Sequence, residues 1–237
     1  MQSDFRAALY GRYVSTFKAR TASAPSAAWW DHKYLPLLAD LHRAAPILEL
    51  GCGDGALLAY LAERGFSNLA GVDVSPEQVA VAKARGLGVV CADALAYLPT
   101  QPSSRAALIA IDVLEHLTRD ELVQLADAMF AALRPGGRLL IQTANGAGLF
   151  PGQVIYGDLT HHTVFTPGSL SQLLTQAGFC SLSFYETGPI PIRVRGRLNV
   201  ALWHAIKVLT NTARYIETGK RQAIWTENFI CSAFKPA

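Results

Sequence analysis

Ile47-Leu48-Glu49-Leu50-Gly51-Cys52-Gly53-Asp54-Gly55 is the stretch from which the fold can be read. A short apolar run carrying one acid ends in three glycines at every second position. Pro46 to Leu50 has the length and apolarity of a buried parallel strand, and Ala56 to Arg64 reads as a helix closed by Gly65. Glycines between strand and helix let the backbone reach φ > 0 and let a ligand approach the main chain. The helix start offers N–H groups and a positive dipole end. Such a turn lies at the carboxyl end of a strand, where open α/β sheets bind nucleotide-type ligands. The dinucleotide fingerprint G-x-G-x-x-G places its third glycine one position later, and a Walker loop needs Gly-Lys-Ser/Thr, which is missing.

E-L-G-C-G-D-G resembles motif I of class I S-adenosylmethionine (SAM) dependent methyltransferases. That resemblance implies a donor-binding turn made by Glu49, Gly51, Cys52, Gly53 and Gly55. Cys52 within it could look like a nucleophile; a small residue that fits the turn is the simpler reading. The α/β alternation continues. Asn68 to Asp73 reads as the second strand, ending in an acid about 20 residues past the glycine turn, a spacing that suits a carboxylate on a ribose diol. Asp73 could instead cap the next helix. Ser75 is the better N-cap, with Pro76 at N1, which leaves Asp73, followed by Val74, for the ligand. Leu87 to Cys91 reads as the third strand. Asp93, before Ala94, is by itself a plain N-cap; the resemblance places it at the adenine amino group.

Ala107 to Ile111 reads as the fourth strand, followed by Asp112-Val113-Leu114-Glu115-His116. D-V-L-E-H resembles motif IV of the same family. The resemblance places Asp112 and Val113 at the methionine part of the donor, and Glu115 and His116 on the acceptor side. Thr118 and Glu121 form a capping box for a helix running to Leu133. Arg134-Pro135-Gly136-Gly137 is the turn that precedes the fifth strand in this family, here Arg138 to Thr143. Ala144-Asn145 stands where the family often has Pro-Asn.

The chain of 237 residues suits one α/β domain with additions. Its formal net charge of +3 is too small to imply nucleic acid. Cys52, Cys91, Cys180 and Cys231 are far apart and form no C-x-x-C pair, which argues for a reducing compartment without disulfides or a zinc knuckle. The N-terminus lacks the apolar core of a signal peptide, and no apolar run is long enough to span a bilayer. A cytoplasmic protein, in one variant peripheral at the inner face of the membrane, is expected. Asp4 to Phe17 reads as a helix with the stripe Phe5, Leu9, Tyr13 and Phe17, Thr21 to Ala28 as a loop, and Trp29 to Leu41 as a helix interrupted by Pro36. This N-terminal part, 1–44, would cap the cofactor pocket. Arg12 and Tyr13 could reach the donor's carboxylate, and a surface cation and a core aromatic explain them equally well.

Further on, Thr160-His161-His162 precedes Phe165-Thr166-Pro167 and a helix that ends before Gly178. This arrangement resembles small bacterial methyltransferases, among them ubiquinone-type O-methyltransferases and those of polysaccharide and glycolipid biosynthesis. The resemblance implies a histidine loop closing over the acceptor. Phe179 to Tyr185 and Phe229 to Phe234 are the expected strands six and seven. Residues 187–228 are too long for a hairpin loop and form an insertion. It is basic between 193 and 221, with a stripe of Leu198, Leu202, Ile206 and Leu209. Such a helix can lie on an anionic membrane, hold an acidic acceptor, or pack as a lid on its own core.

The expected architecture is therefore a Rossmann-like α/β core, 45–186 plus 229–237, with strand order 3-2-1-4-5-7-6. A helical cap and a basic lid insert flank it. The expected activity is methyl transfer from SAM to a hydroxyl, first of a sugar in a glycan or glycolipid, second of a quinone-type phenol or other small molecule. A SAM-binding protein without catalysis is the rival from another class. An RNA methyltransferase is disfavoured by the modest charge and the lack of a separate RNA-binding module, so no nucleic acid partner is expected. The oligomeric state is left open. His161 is the expected base or metal ligand, with His116 and Glu115 in support, and Mg²⁺ is the candidate metal. His162 points to the other side of an extended loop and is the weakest of the three histidines.

Overall fold

The computed structural model describes residues 25–237. The expected helix Asp4–Phe17, with Arg12 and Tyr13, lies outside the described residues. Seven strands form one sheet: β1 (Ile47–Leu50), β2 (Leu69–Asp73), β3 (Val89–Cys91), β4 (Arg105–Ile111), β5 (Leu133–Ala144), β6 (Cys180–Glu186) and β7 (Asn228–Phe234). Their order is 3-2-1-4-5-7-6. Pairs from β3 to β5 are parallel, and β7 runs antiparallel to β5 and β6. The helices are α1 (Ala27–Lys33), α2 (Ala56–Glu63), α3 (Pro76–Ala84), α4 (Ala94–Tyr97), α5 (Arg119–Ala132), α6 (Pro151–Tyr156), α7 (Pro167–Gln176) and α8 (Arg193–Thr218).

The central strands are apolar on both faces, as parallel strands covered from two sides require. Leu48, Leu50, Leu108, Ala110, Leu139 and Ile141 pack with Leu122, Leu125 and Met129 of α5 and Leu170 and Leu174 of α7. Their neighbours Ile47, Ala107, Ile109 and Leu140 face the other way, onto Trp30, Tyr34, Leu38, Leu57 and Leu61. Burying each leucine or isoleucine contributes roughly 1.5–3 kcal/mol. The strand order reverses between β1 and β4, so their carboxyl ends diverge and leave a crevice.

Several boundaries differ from the expectation. The helix expected from Trp29 to Leu41 is two pieces. Ser26 caps α1, accepting from the Trp29 amide at 3.3 Å, so the helix starts at Ala27. Pro36, which cannot continue an α-helix, sits in a 3₁₀ turn, Leu35–Leu38. β3 begins at Val89 rather than Leu87, because the Leu87 amide turns back to the Ala82 carbonyl and closes α3. β5 begins at Leu133, which pairs with Arg105 before the register shifts. Arg134-Pro135-Gly136-Gly137 is thus an irregularity within the strand, with Gly136 at φ +71°. In the insertion α8 is a single helix of 26 residues, and none of them is buried. The stripe Leu198, Leu202, Ile206 and Leu209 is exposed rather than packed inward.

Candidate active site

A cavity of about 480 Å³ opens where the carboxyl ends of β1, β2, β3 and β4 meet. Gly51, Gly53 and Gly55 all have left-handed φ, +63°, +54° and +76°. At Gly51 a side chain is doubly excluded: an added Cβ would stand 2.5 Å from Val113 Cγ2. Of the expected donor-binding residues, Glu49, Gly51, Cys52, Gly53, Asp73, Val74, Asp93, Ala94, Asp112 and Val113 line this cavity. Gly55 does not; it is the buried N-cap of α2, and its role is conformational. Burial pushes the Cys52 thiol well up, which removes it as a nucleophile.

Asp73 was expected to be left unengaged, and it is not. Its Oδ2 accepts from the Gly53 amide at 2.7 Å and its Oδ1 from the Ser75 amide at 2.8 Å. The acid at the end of β2 thereby clamps the glycine turn at the end of β1. A carboxylate offers about four acceptor sites, so the clamp is compatible with a diol in the cavity. Asp93 caps α4 through the Leu95 amide at 2.8 Å while facing the same space. The cavity thus presents acids from four neighbouring strands, Glu49 of β1, Asp73 of β2, Asp93 after β3 and Asp112 after β4, against an apolar wall that includes Trp29, Leu95 and Leu117. This donor set fits a ligand carrying an ammonium group, a ribose diol and an adenine amino group, which SAM does.

Asp112 is held from behind. Tyr34, fully buried, donates to Gln142 Oε1 at 2.9 Å, and Gln142 Nε2 donates to both Asp112 oxygens at 3.1 and 3.3 Å. The Asp112 carboxylate only accepts, so the Gln142 NH2 faces it and the amide oxygen is left to accept from the Tyr34 hydroxyl. Burial, then the charges of Asp112 and Glu49, keep the Tyr34 hydroxyl protonated. Enclosure by protein raises the Asp112 carboxyl, opposed by the Gln142 amide. Asp112 also sits at φ +53°, a strained conformation for a non-glycine residue of the kind found at ligand sites. Sequence reasoning missed Tyr34 and Gln142. The sheet order makes Gln142 findable, since it pairs with Ile111 beside Asp112.

The histidine loop docks on the turn Leu114–His116. The His162 and Thr163 amides donate to the Glu115 carbonyl at 2.7 and 3.0 Å. His116 and His161 meet edge to face, 4.7 Å between ring centroids. His116 lines the cavity and His161 does not. His161 Nδ1 is buried without a hydrogen-bond partner among the described residues. His162 is exposed. Thr160 Oγ1 lies 2.8 Å from His116 Nδ1 and donates to Asp158 Oδ1 at 2.7 Å. A hydroxyl has one hydrogen, so Thr160 accepts from His116, which places the imidazole proton on Nδ1 and the lone pair on Nε2. Burial, then His161, lower His116 to about 4, with Asp158 opposing. Burial pushes Asp158 up, but the Thr160 hydroxyl and amide outweigh it and hold the carboxyl below its usual range.

Glu115 does not face the acceptor side. It is 2% exposed and accepts from the Thr143 hydroxyl at 2.9 Å. Burial, then the Asp112 charge, push its carboxyl up, a poor state for a metal ligand. Among the described residues no group of three or more His, Cys, Asp or Glu side chains is disposed to hold a metal.

Fold and site together define the class I SAM-dependent methyltransferase type. Residues 25–183 match the methyltransferase-domain family model, and the chain belongs to that family. A ubiquinone biosynthesis O-methyltransferase of Xylella fastidiosa is 30% identical over 146 residues, 52% of this chain and 57% of that protein. A probable SAM-dependent methyltransferase of Mycolicibacterium smegmatis is 33% identical over 144 residues, 58% of this chain and 54% of that protein. The chain thus matches little more than half the length of these curated relatives. A SAM-dependent methyltransferase of Archaeoglobus fulgidus shares the fold, with a TM-score of 0.68 at 19% identity, covering 94% of this chain and 99% of that one.

Proposed function

We propose that this protein transfers the methyl group of SAM to a phenolic hydroxyl of a small molecule, with His116 as general base. The observation that carries the reading is the chain of contacts from the cavity wall, His116 to Thr160 to Asp158. When bound, SAM supplies a sulfonium-activated methyl group. Gly51, Gly53, Asp73, Asp93 and Asp112 hold the donor, and the apolar wall keeps the reacting centre dry. His116 Nε2 takes the acceptor's hydroxyl proton as its oxygen attacks. The charge that develops on the ring is met by the Nδ1–H bond to Thr160, backed by the Asp158 carboxylate, and by the Asp112 carbonyl, which favours the protonated ring. In-line placement of the two reactants supplies most of the remaining acceleration.

The surroundings of the base support one acceptor class over the other. A histidine lowered to about 4 is unprotonated at neutral pH but a weak proton acceptor. General-base catalysis loses effect as the base weakens relative to the group it deprotonates. Such a base suits an acidic hydroxyl, that of a phenol, better than a sugar hydroxyl. The Xylella fastidiosa relative, named for ubiquinone biosynthesis and O-methylation, points the same way. His116 on the cavity wall therefore takes precedence over His161, which supports it from behind, and the burial of Glu115 counts against metal assistance through that residue.

The test is methyl transfer from labelled SAM to catechol-type phenols and, in parallel, to sugars. Phenol methylation is expected in the wild type. His116→Ala should cut turnover by roughly 10²-fold with SAM affinity unchanged. Sugar methylation in preference to phenol, or full activity in His116→Ala, would refute the proposal.

A further inference from the structure

Helix α8 is amphipathic with its apolar face turned away from its own domain. The residues half-buried against the domain are Gly196, Val200, Trp203, Lys207, Thr210, Asn211 and Arg214, which share one face of the helix. Trp203 Nε1 and Lys207 Nζ donate to Glu186 at 3.2 and 2.8 Å, and Asn211 bonds to the backbone of Gln222. The opposite face carries Val194, Leu198, Leu202, Leu209 and Ile216. Three of these, Val194, Leu209 and Ile216, are 83%, 72% and 81% exposed. Ordinary surface helices do the reverse, placing the apolar stripe on the core.

Charge identifies what covers that face. Between 193 and 221 Glu217 is the only acid. Arg195 and Arg197 flank the apolar face near the start of α8, and Lys220 and Arg221 follow its end; all four are exposed. Two copies paired through this face, parallel or antiparallel, would set one basic cluster against another. An apolar stripe with basic borders is the pattern of a helix lying in the plane of an anionic bilayer surface. No helix of the described residues is long and apolar enough to cross a membrane. The root of α8 is also tied to the cavity, since Trp29, on the cavity wall, donates through Nε1 to the Thr187 carbonyl at 3.4 Å.

We propose that α8 docks in-plane on an anionic lipid surface and holds the cavity beside a lipid-soluble acceptor; the second half of this statement rests on the proposed phenol methylation. The experiment is co-sedimentation of the full chain with vesicles of phosphatidylglycerol and phosphatidylcholine, or of phosphatidylcholine alone. It compares the wild type, Leu198→Glu/Leu202→Glu/Leu209→Glu and Arg195→Glu/Arg197→Glu. These side chains are exposed, so circular dichroism should be unchanged. The expected result is binding about tenfold or more tighter to anionic vesicles, weakened by raising salt from about 0.1 to about 0.5 M, and lost in both variants. Equal or absent binding to the two vesicle types would overturn the proposal. So would a wild-type dimer that the leucine variant dissolves without any vesicle binding, or capture of RNA without vesicle binding. An activity arm separates the two readings. The leucine variant should methylate a water-soluble catechol as the wild type does and fall behind about tenfold on a long-tailed phenol embedded in anionic vesicles. Failure of the wild type on catechol strikes the phenol assignment and leaves the vesicle result standing.

Discussion

Tyr34 makes Asp112 a fixed acceptor from a distance. Its hydroxyl donates to Gln142 Oε1, which holds the amide with its NH2 turned to Asp112. Tyr34→Phe leaves a buried amide oxygen unpaired, at a cost of roughly 1–3 kcal/mol. A lower melting temperature and several-fold weaker SAM binding in calorimetry are expected; unchanged SAM affinity would show that Asp112 is positioned otherwise. Two neighbouring groups give stability opposite pH trends. His116 is lowered from 6.5 to about 4, so the folded chain binds fewer protons than the unfolded one, and stability falls as pH drops from 6.5 toward 4. The loss is at most about 3 kcal/mol. Glu115 is raised, so the folded chain binds more protons, and stability falls as pH rises above the ordinary glutamate range. Urea melts across pH should therefore show a maximum. Glu115→Gln should flatten the alkaline side alone and His116→Gln the acid side alone; parallel curves for all three proteins would refute both assignments.

At the scale of elements, the glycine turn and the acid of β2 act as one device. Asp73 receives the Gly53 amide, and Gly51 leaves the space that Val113 fills. Gly51→Ala forces a side chain into a left-handed position against Val113, and about 1–3 kcal/mol of destabilisation is expected, with SAM binding lost. Asp73→Asn keeps the size and removes the charge, and should weaken SAM binding while also loosening the turn, visible as faster amide exchange at Gly53. The parts of this device were legible in the sequence, glycines in alternation and then an acid one strand later, but the bond that joins them was not, because Asp73 was read as left for the ligand. The D-V-L-E-H run was legible in position but not in direction. Asp112, Val113 and His116 reach the cavity, whereas Glu115, one step from His116, points into the sheet toward Thr143. A short 3₁₀ turn sends successive side chains to different sides, and no periodic pattern announces its phase. Tyr34 was hidden for a different reason. It enters the site from outside the strand–helix alternation, through a fragment whose helix breaks at Pro36.

In the whole molecule, Glu186 joins the insertion to the core. At the end of β6, its side chain accepts from Trp203 Nε1 and Lys207 Nζ of α8 and from the Trp225 amide before β7, and its carbonyl accepts from Lys33 at the end of α1. The amphipathic pattern of α8 was plain from the sequence, but which side would face the domain was not, because apolar periodicity alone assumes a core-facing stripe. What reverses the helix is this one acid together with Asn211 and Gln222: polar partners hold the polar side inward and leave the leucines outside. Glu186→Ala removes the acceptor for three donors at once and leaves the seven-stranded sheet intact. Local unfolding of α8 should then become much easier than global unfolding, since stability is distributed in cooperative units. Limited proteolysis should cut near 187–192 and 219–223 several-fold faster in this variant, with the core melting temperature shifted far less. Binding to anionic vesicles should protect both segments in the wild type. Cleavage no faster than in the wild type would mean that the helix is held by contacts other than Glu186.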